Sequence, residues 1–430
     1  MSELGICVVN LVLHRSSPSG ISAVRSQTAA GAVWFPTASA AAASTDALCV
    51  ARRSPQQGRS REASATRWRY GDRTMTGGGD LLDRVAELVA VPSVSQEEAA
   101  LADLVEGRLR TTSWLEVGRI GDNLVARTSG PGPRLVVAGH LDTVPPNGNA
   151  APRRDRDVLW GLGAADMKAG LAVMLELAAE RRPPPIGLTL AFYVAEEIGR
   201  EHNGLLQIED VDPTLLSGDA AILCEPTGAV VEAGCQGSLA LAVTLVGVRA
   251  HTARPWRGAN AIHRLGPLIE RIANWPQRRP VLDGCTYREA LQAVGVQGGV
   301  AGNVVPDSVT LSLNHRFAPD RTAQQAAEAV RAHLAPALDE TLGDSTVVRD
   351  AAGGAPPNLD HRLLARLVEE TGVAPRAKLG WTDVAFFAQR GIPAANFGPG
   401  DPELAHTADE NVTLTDVQAV HRALRSLLHP

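Results

Sequence analysis

The sequence predicts an α/β protein: a mostly parallel mixed sheet flanked by helices, interrupted by an inserted two-layer βαββαβ unit of ferredoxin-like type. Two observations carry this. From Asp80 to about Glu232, apolar strand-like runs alternate with helical stretches, the pattern of an α/β layer. From Ser238 to about Val348 the order becomes strand, helix, strand, strand, helix, strand, which folds as an independent two-layer unit. The first helix is expected over Leu81–Val91, an amphipathic segment with Asp80 as its cap. Strands are expected at Arg134–Ala138, Leu188–Val194 and Ala220–Cys224, and in Met167–Glu180 Ala, Leu and Met recur on one helical face. In the insert, Leu239–Val246, Tyr287–Val296, Val309–Phe317 and Thr346–Val348 read as strands, Ala259–Ala273 and Ala323–Leu334 as helices. Beyond it, Asp360–Glu370, Asp383–Gln389 and Thr415–Leu428 read as helices and Ala394–Phe397 as a strand. Residues 75–236 and 350–430 are thus expected to form one domain around residues 237–349.

Composition excludes several classes of function. The 430 residues carry 41 basic and 47 acidic side chains, a net charge of −6, and 44% are hydrophobic, which suits a soluble globular chain. No apolar run approaches the ~18 residues of a membrane span. Sixteen aromatics and a mildly acidic balance argue against a nucleic-acid surface. Five cysteines without a C-x-x-C pair make no disulfide framework and point to a reducing compartment, the cytoplasm. The first 74 residues differ from the rest, with nine Arg, no Lys and four acids. Their composition is expected to give a disordered or non-native extension.

The chemistry-bearing residues lie at the ends of the apolar runs. His140 and Asp142 follow one strand, and the i, i+2 spacing of extended chain sets them on one side. A carboxylate there could orient an imidazole that binds a metal. Asp166 stands in Gly161-Leu-Gly-Ala-Ala-Asp-Met-Lys, where a nucleotide-binding loop would have its third glycine; a carboxylate would repel pyrophosphate. A helix cap and a metal-bridging carboxylate are the two readings of Asp166. Glu196 and Glu197 end a second strand, where adjacent acids repel unless a cation offsets them; solvated turn residues are the competing reading. Glu225 ends a third strand before Pro226, and His406 sits in a Gly/Pro-rich loop. Strand ends of a parallel sheet converge on one rim, where two His and several carboxylates could hold borderline cations. No G-x-S-x-G or H-E-x-x-H motif supports a serine hydrolase or a zincin.

These residues, with Glu225-Pro226, His251 and the Gly163–Lys168 segment, resemble the aminoacylase/carboxypeptidase family of dinuclear zinc amidohydrolases. Gly380-Trp-Thr-Asp-Val, Asn396-Phe-Gly-Pro-Gly-Asp-Pro and Ala301-Gly-Asn-Val-Val-Pro-Asp are similar to its actinobacterial succinyl-diaminopimelate desuccinylase group. The similarity runs from about Leu81 to Leu428. It implies a catalytic domain interrupted by a lid through which the protein forms a homodimer. It implies two divalent ions, Zn²⁺ with Co²⁺ as the other option, one held by His140, Asp166 and Glu225 and the other by Asp166, Glu197 and His406. Asp142 would support His140, and Glu196 would be the general base. His251 would serve the neighbouring subunit's site, and Asn303 and Arg316 would hold the substrate; for Arg316 a surface salt bridge is the competing reading.

The reaction so implied is hydrolysis of an N-acyl amino acid amide, N-succinyl-LL-2,6-diaminopimelate giving succinate and LL-2,6-diaminopimelate for lysine and diaminopimelate biosynthesis. Cys235-Gln236 and Trp381 depart from the group's usual Arg pair and Thr. A missing guanidinium removes a bidentate carboxylate partner. Acetylornithine deacetylase or carboxypeptidase-like activity is therefore the alternative, and a non-catalytic dimeric binding protein the alternative of another class.

Overall fold

The computed structural model describes residues 80–429, and the extension expected over residues 1–74 lies outside them. The larger sheet has eight strands in the order Leu115–Ile120, Asn123–Thr128, Gly187–Tyr193, Arg134–His140, Ala220–Leu223, Ala394–Asn396, Glu232–Ala233 and Arg376–Ala377. Its strands Gly187–Tyr193, Arg134–His140, Ala220–Leu223 and Ala394–Asn396 run parallel, while Asn123–Thr128 pairs antiparallel with both Leu115–Ile120 and Gly187–Tyr193, and Glu232–Ala233 pairs antiparallel with Ala394–Asn396. The sheet is mixed, as expected. Along Arg134–His140 the side chains alternate: Leu135 and Val137 enter one core, Val136 and Ala138 the other. Both faces are covered, so these strands read as continuous apolar runs rather than as polar/apolar alternation.

On one face pack the helices Leu81–Val89, Ala99–Leu109, Ala169–Ala178, Arg362–Thr371 and Leu414–Leu428. On the other lie Gly204–Val211 and Val384–Ala388. Asp80 caps the first helix as the sequence predicts, its carboxylate accepting from the Asp83 N–H while Asp83 reaches back to the cap N–H. Gly170 lets the helix Ala169–Ala178 approach the rim. A Cβ there would lie 2.4 Å from the Cys224 carbonyl oxygen.

The insert is a four-stranded antiparallel sheet, ordered Ala290–Gly298, Ser308–Phe317, Gly237–Val246 and Ser345–Ala352. Helices Leu265–Ala273 and Ala323–Leu334 cover one face, burying Leu239, Leu241, Val243 and Leu245 against Leu268, Ile272 and Val330. Chain order is strand, helix, strand, strand, helix, strand, the expected βαββαβ. The first of its helices begins six residues later than predicted. Asn260 accepts the N–H groups of Ile262 and His263, and Ala261 donates to the Pro306 carbonyl, so residues 260–264 turn instead of extending the helix.

Candidate metal centre

Three parallel strands deliver their carboxyl ends to one rim. His140 closes Arg134–His140, Glu196 and Glu197 follow Gly187–Tyr193, and Glu225 follows Ala220–Leu223. The loop after Ala394–Asn396 brings His406 to the same rim. Asp166 arrives from the turn Ala164–Lys168, which opens on Gly163 in the left-handed region (φ 75°). A Cβ at Gly163 would lie 2.8 Å from Thr143, so the turn requires glycine. Asp166 itself has φ −115° and ψ 93°, its peptide to Met167 is cis, and the following helix is entered through Lys168. It is not the helix cap of the competing reading.

The imidazole of His140 has Nε2 3.1 Å from Asp166 Oδ1. His406 Nε2 lies 2.8 Å from Glu197 Oε1 and 3.4 Å from Asp166 Oδ2. Asp166 therefore presents one oxygen to each histidine. His140, Asp166 and Glu225 each offer a donor atom within 4.8 Å of the others, and so do Asp166, Glu197 and His406. His140, Glu196 and Glu197 form a third such group.

Asp142 acts more widely than expected. His140 Nδ1 is 3.0 Å from its carbonyl oxygen and 3.4 Å from its carboxylate. The carboxylate instead accepts the N–H groups of Glu196 and Glu197, at 3.0 Å each, and the Ser95 hydroxyl at 2.8 Å. One buried acid thus fixes the turn that carries both glutamates.

Charge in this cluster is strongly perturbed. Burial opposes a charged His140, but Asp142 and Asp166 override it and hold the imidazole well above its ordinary range. Hydrogen bonding to Asp166 and Glu197 pushes His406 up to about 10. Burial, with Asp166 nearby, pushes Glu225 up to about 7, and its Oε1 has no hydrogen-bond partner among the described residues. Burial also holds Glu196 well above the carboxylate range; His140 opposes the shift, and Glu225, Asp383 and Glu197 add to it.

The donor set fits borderline divalent cations. It mixes imidazole nitrogen with carboxylate oxygen, leaves a buried carboxylate oxygen unpartnered, and gathers acids that would otherwise hold protons. Cations must displace the imidazole protons and the proton that Glu225 partly holds, so uptake is expected to release about two to three protons near neutral pH and to tighten as pH rises. Calorimetric Zn²⁺ titration of the metal-free protein in buffers of differing ionisation enthalpy checks this. Heats that do not depend on the buffer would show that the imidazoles are already neutral.

The other expected residues lie elsewhere. His251 and Asn303 are neighbours on the insert, where the Thr252 N–H donates to the Asn303 carbonyl and both side chains are exposed. His251 Nδ1 accepts the Ala253 N–H, and neither residue hydrogen-bonds to the rim cluster among the described residues. Arg316 is half-buried on Ser308–Phe317, where burial lowers its pKa. The surface salt bridge of the competing reading is absent, since Arg316 makes no ion pair among the described residues. Cys235 and Gln236 are both buried and engaged, Cys235 facing the Thr382 carbonyl and Gln236 accepting the Arg288 N–H. Cys224 is a core thiol whose pKa is raised by burial.

Sequence reasoning missed Ser95, Glu98, Lys378 and Glu410. Glu98 accepts the Ala195 N–H just before the two glutamates. Lys378 pairs with Glu232 at 2.9 Å. It and Lys168 are the chain's two lysines, and both are buried. In a chain that otherwise uses Arg, that pairing of rarity and type was a readable signal.

The sequence profile of Peptidase family M20/M25/M40 matches residues 136–429, the span that holds every proposed metal ligand. The chain belongs to this family. Among M20 relatives, the succinyl-diaminopimelate desuccinylase of Corynebacterium glutamicum is 44% identical over 352 residues, covering 80% of this chain and 95% of that one. A Mycobacterium tuberculosis (strain ATCC 25618 / H37Rv) protein provisionally named succinyl-diaminopimelate desuccinylase DapE is 48% identical, covering 81% and 98%. A solved M20 structure from Bacillus subtilis, YXEP, described as a dinuclear metal-binding peptidase, superposes with a TM-score of 0.59 at 16% identity. It covers 81% of this chain and 96% of that one, and shows the shared fold.

Proposed function

We propose that this M20 protein is a two-metal amidohydrolase that cleaves N-succinyl-LL-2,6-diaminopimelate to succinate and LL-2,6-diaminopimelate. The observation that carries the reading is the convergence of two three-donor groups on Asp166, with the half-buried Glu196 beside them. His140, Asp166 and Glu225 would hold one ion; Asp166, Glu197 and His406 the other. Bound there, two Zn²⁺ or Co²⁺ ions would acidify water and polarise the acyl carbonyl. Glu196 accepts the proton of the attacking water at its carboxylate. As the C–N bond breaks, it returns that proton to the leaving amine nitrogen.

The names of the relatives support the succinyl substrate. With Cys235 and Gln236 buried in other contacts, the substrate carboxylates need other cations. Arg316, half-buried and without an ion pair among the described residues, supplies one. The full donor set and Glu196 both argue against a non-catalytic homologue. Dimerisation through the lid is supported by the strand Ala290–Gly298. It lies at the sheet edge with Val294 and Val296 more than half exposed, and such an edge can pair with a second copy. No helix among the described residues is long and apolar enough to cross a membrane. A cytoplasmic place accords with the biosynthetic role.

A panel of N-acyl amino acids assayed with added Zn²⁺ tests the substrate. N-Succinyl-LL-2,6-diaminopimelate is expected to give the highest kcat/KM, with N-acetylornithine at least about tenfold below, a difference of about 1.4 kcal/mol in transition-state binding. Good turnover of the acetyl substrate without turnover of the succinyl one would transfer the assignment to acetylornithine deacetylase.

A further inference from the structure

Glu410 is a buried acid that the mechanism above does not use. It lies four residues after His406 and is 1% exposed. Its Oε1 accepts the N–H groups of both Ala165 and Asp166, at 3.0 Å each. Its own carbonyl accepts the Gly161 N–H, and its N–H donates to the Thr407 carbonyl. Asn149 adds a further tie, donating to the Thr407 carbonyl while its own carbonyl accepts the Leu162 N–H. The segment that carries His406 and the turn that carries Asp166 are thus stitched together, although some 240 residues separate them in sequence.

The geometry matters because of what each side of this seam carries. Asp166 and His406 already meet, Oδ2 to Nε2, at 3.4 Å. Both backbones depart from regular structure there: His406 has φ 63°, and Asp166 lies outside the helical region. A non-glycine residue in the left-handed region persists only where its surroundings hold it. Glu410 braces both segments from the inside of the fold: its carboxylate satisfies two adjacent N–H groups of the Asp166 turn, and its N–H ties to the Thr407 carbonyl beside His406. Nothing comparable links Glu225 to Asp166 among the described residues, where Glu225 Oε1 is unpartnered.

We propose that Glu410 is a positioning residue that sets the separation of Asp166 and His406, and so controls the affinity of the metal position they share with Glu197. The effect is larger at that position, where Glu410 braces both Asp166 and the segment of His406, than at the position formed by His140, Asp166 and Glu225, where it braces Asp166 alone. This inference rests on the two-metal reading.

The test is Zn²⁺ binding itself, read by competition with a chromophoric chelator on metal-free wild type, Glu410→Ala and Glu410→Gln, with no substrate present. The alanine variant is expected to bind one equivalent within about threefold of wild type and the other about 10–100-fold more weakly, the range for residues that orient ligands. The glutamine variant keeps an acceptor oxygen and loses the charge, so its weak site should lie between the two. It also carries the test if the alanine variant fails to fold. Equal weakening of both equivalents, or wild-type affinities at both with only a lower Tm, would overturn the proposal and leave Glu410 a structural acid. Wild type that takes up fewer than two equivalents would instead overturn the two-metal reading on which it rests.

Discussion

Replacing Glu196 with alanine is expected to lower kcat by about 10²–10⁴-fold, the usual contribution of a positioned general base. Metal content should stay near two equivalents, because the two donor groups that share Asp166 do not include it. The structure makes this outcome informative in a second way. Glu196 also belongs to a third donor group with His140 and Glu197, so it could itself hold a cation. Elemental analysis of the purified variant separates the roles. Loss of one equivalent along with activity would make Glu196 a ligand, and largely intact turnover would remove it from the chemistry. KM should change little, since the carboxylate acts on the attacking water rather than on the substrate's own binding groups.

Mixing Glu196→Ala and His251→Ala proteins is expected to restore roughly a quarter of wild-type activity. Each parent alone should be nearly inactive. Random exchange makes about half of the dimers mixed, and in each of these one site joins an intact Glu196 to an intact His251 of the partner subunit. The expectation follows from where His251 lies. It is exposed on the insert beside Asn303 and makes no hydrogen bond to the rim cluster of its own chain among the described residues. An imidazole supplied across a dimer would donate to the developing oxyanion, a contribution of about 10²–10³ in kcat for one such donor. If exchange is verified by mass and no activity returns, His251 serves its own subunit; a His251→Ala parent that is active alone would remove His251 from the chemistry.

Much of the fold was legible from period alone. Arg134–His140, Gly187–Tyr193 and Ala220–Leu223 are dense apolar runs because both faces of the sheet are covered. The alternating burial of Gly237–Val246 marks a sheet with helices on one face. Boundaries failed where side chains competed with the backbone, as at Asn260, whose local hydrogen bonds cut the predicted helix short. The rim residues were legible because acids and histidines at the ends of apolar strands are costly without a partner, and few functions repay that cost.

The sequence by itself determined the layer order, the inserted βαββαβ unit and the set of donor types, since each follows from local patterning and from the chemistry of single side chains. Tertiary structure alone decided how those donors are held. Asp142 ties the Glu196-Glu197 turn through two backbone N–H groups 54 and 55 residues away, and Glu410 reaches Ala165 and Asp166 across 245 and 244 residues. Such contacts leave no periodic trace, because a hydrogen bond to a backbone N–H places no demand on the identity of the residue that donates it. Only the folded chain, which must satisfy every buried donor and acceptor at once, shows which acids gather at the rim and which ones hydrogen-bond the segments that carry them.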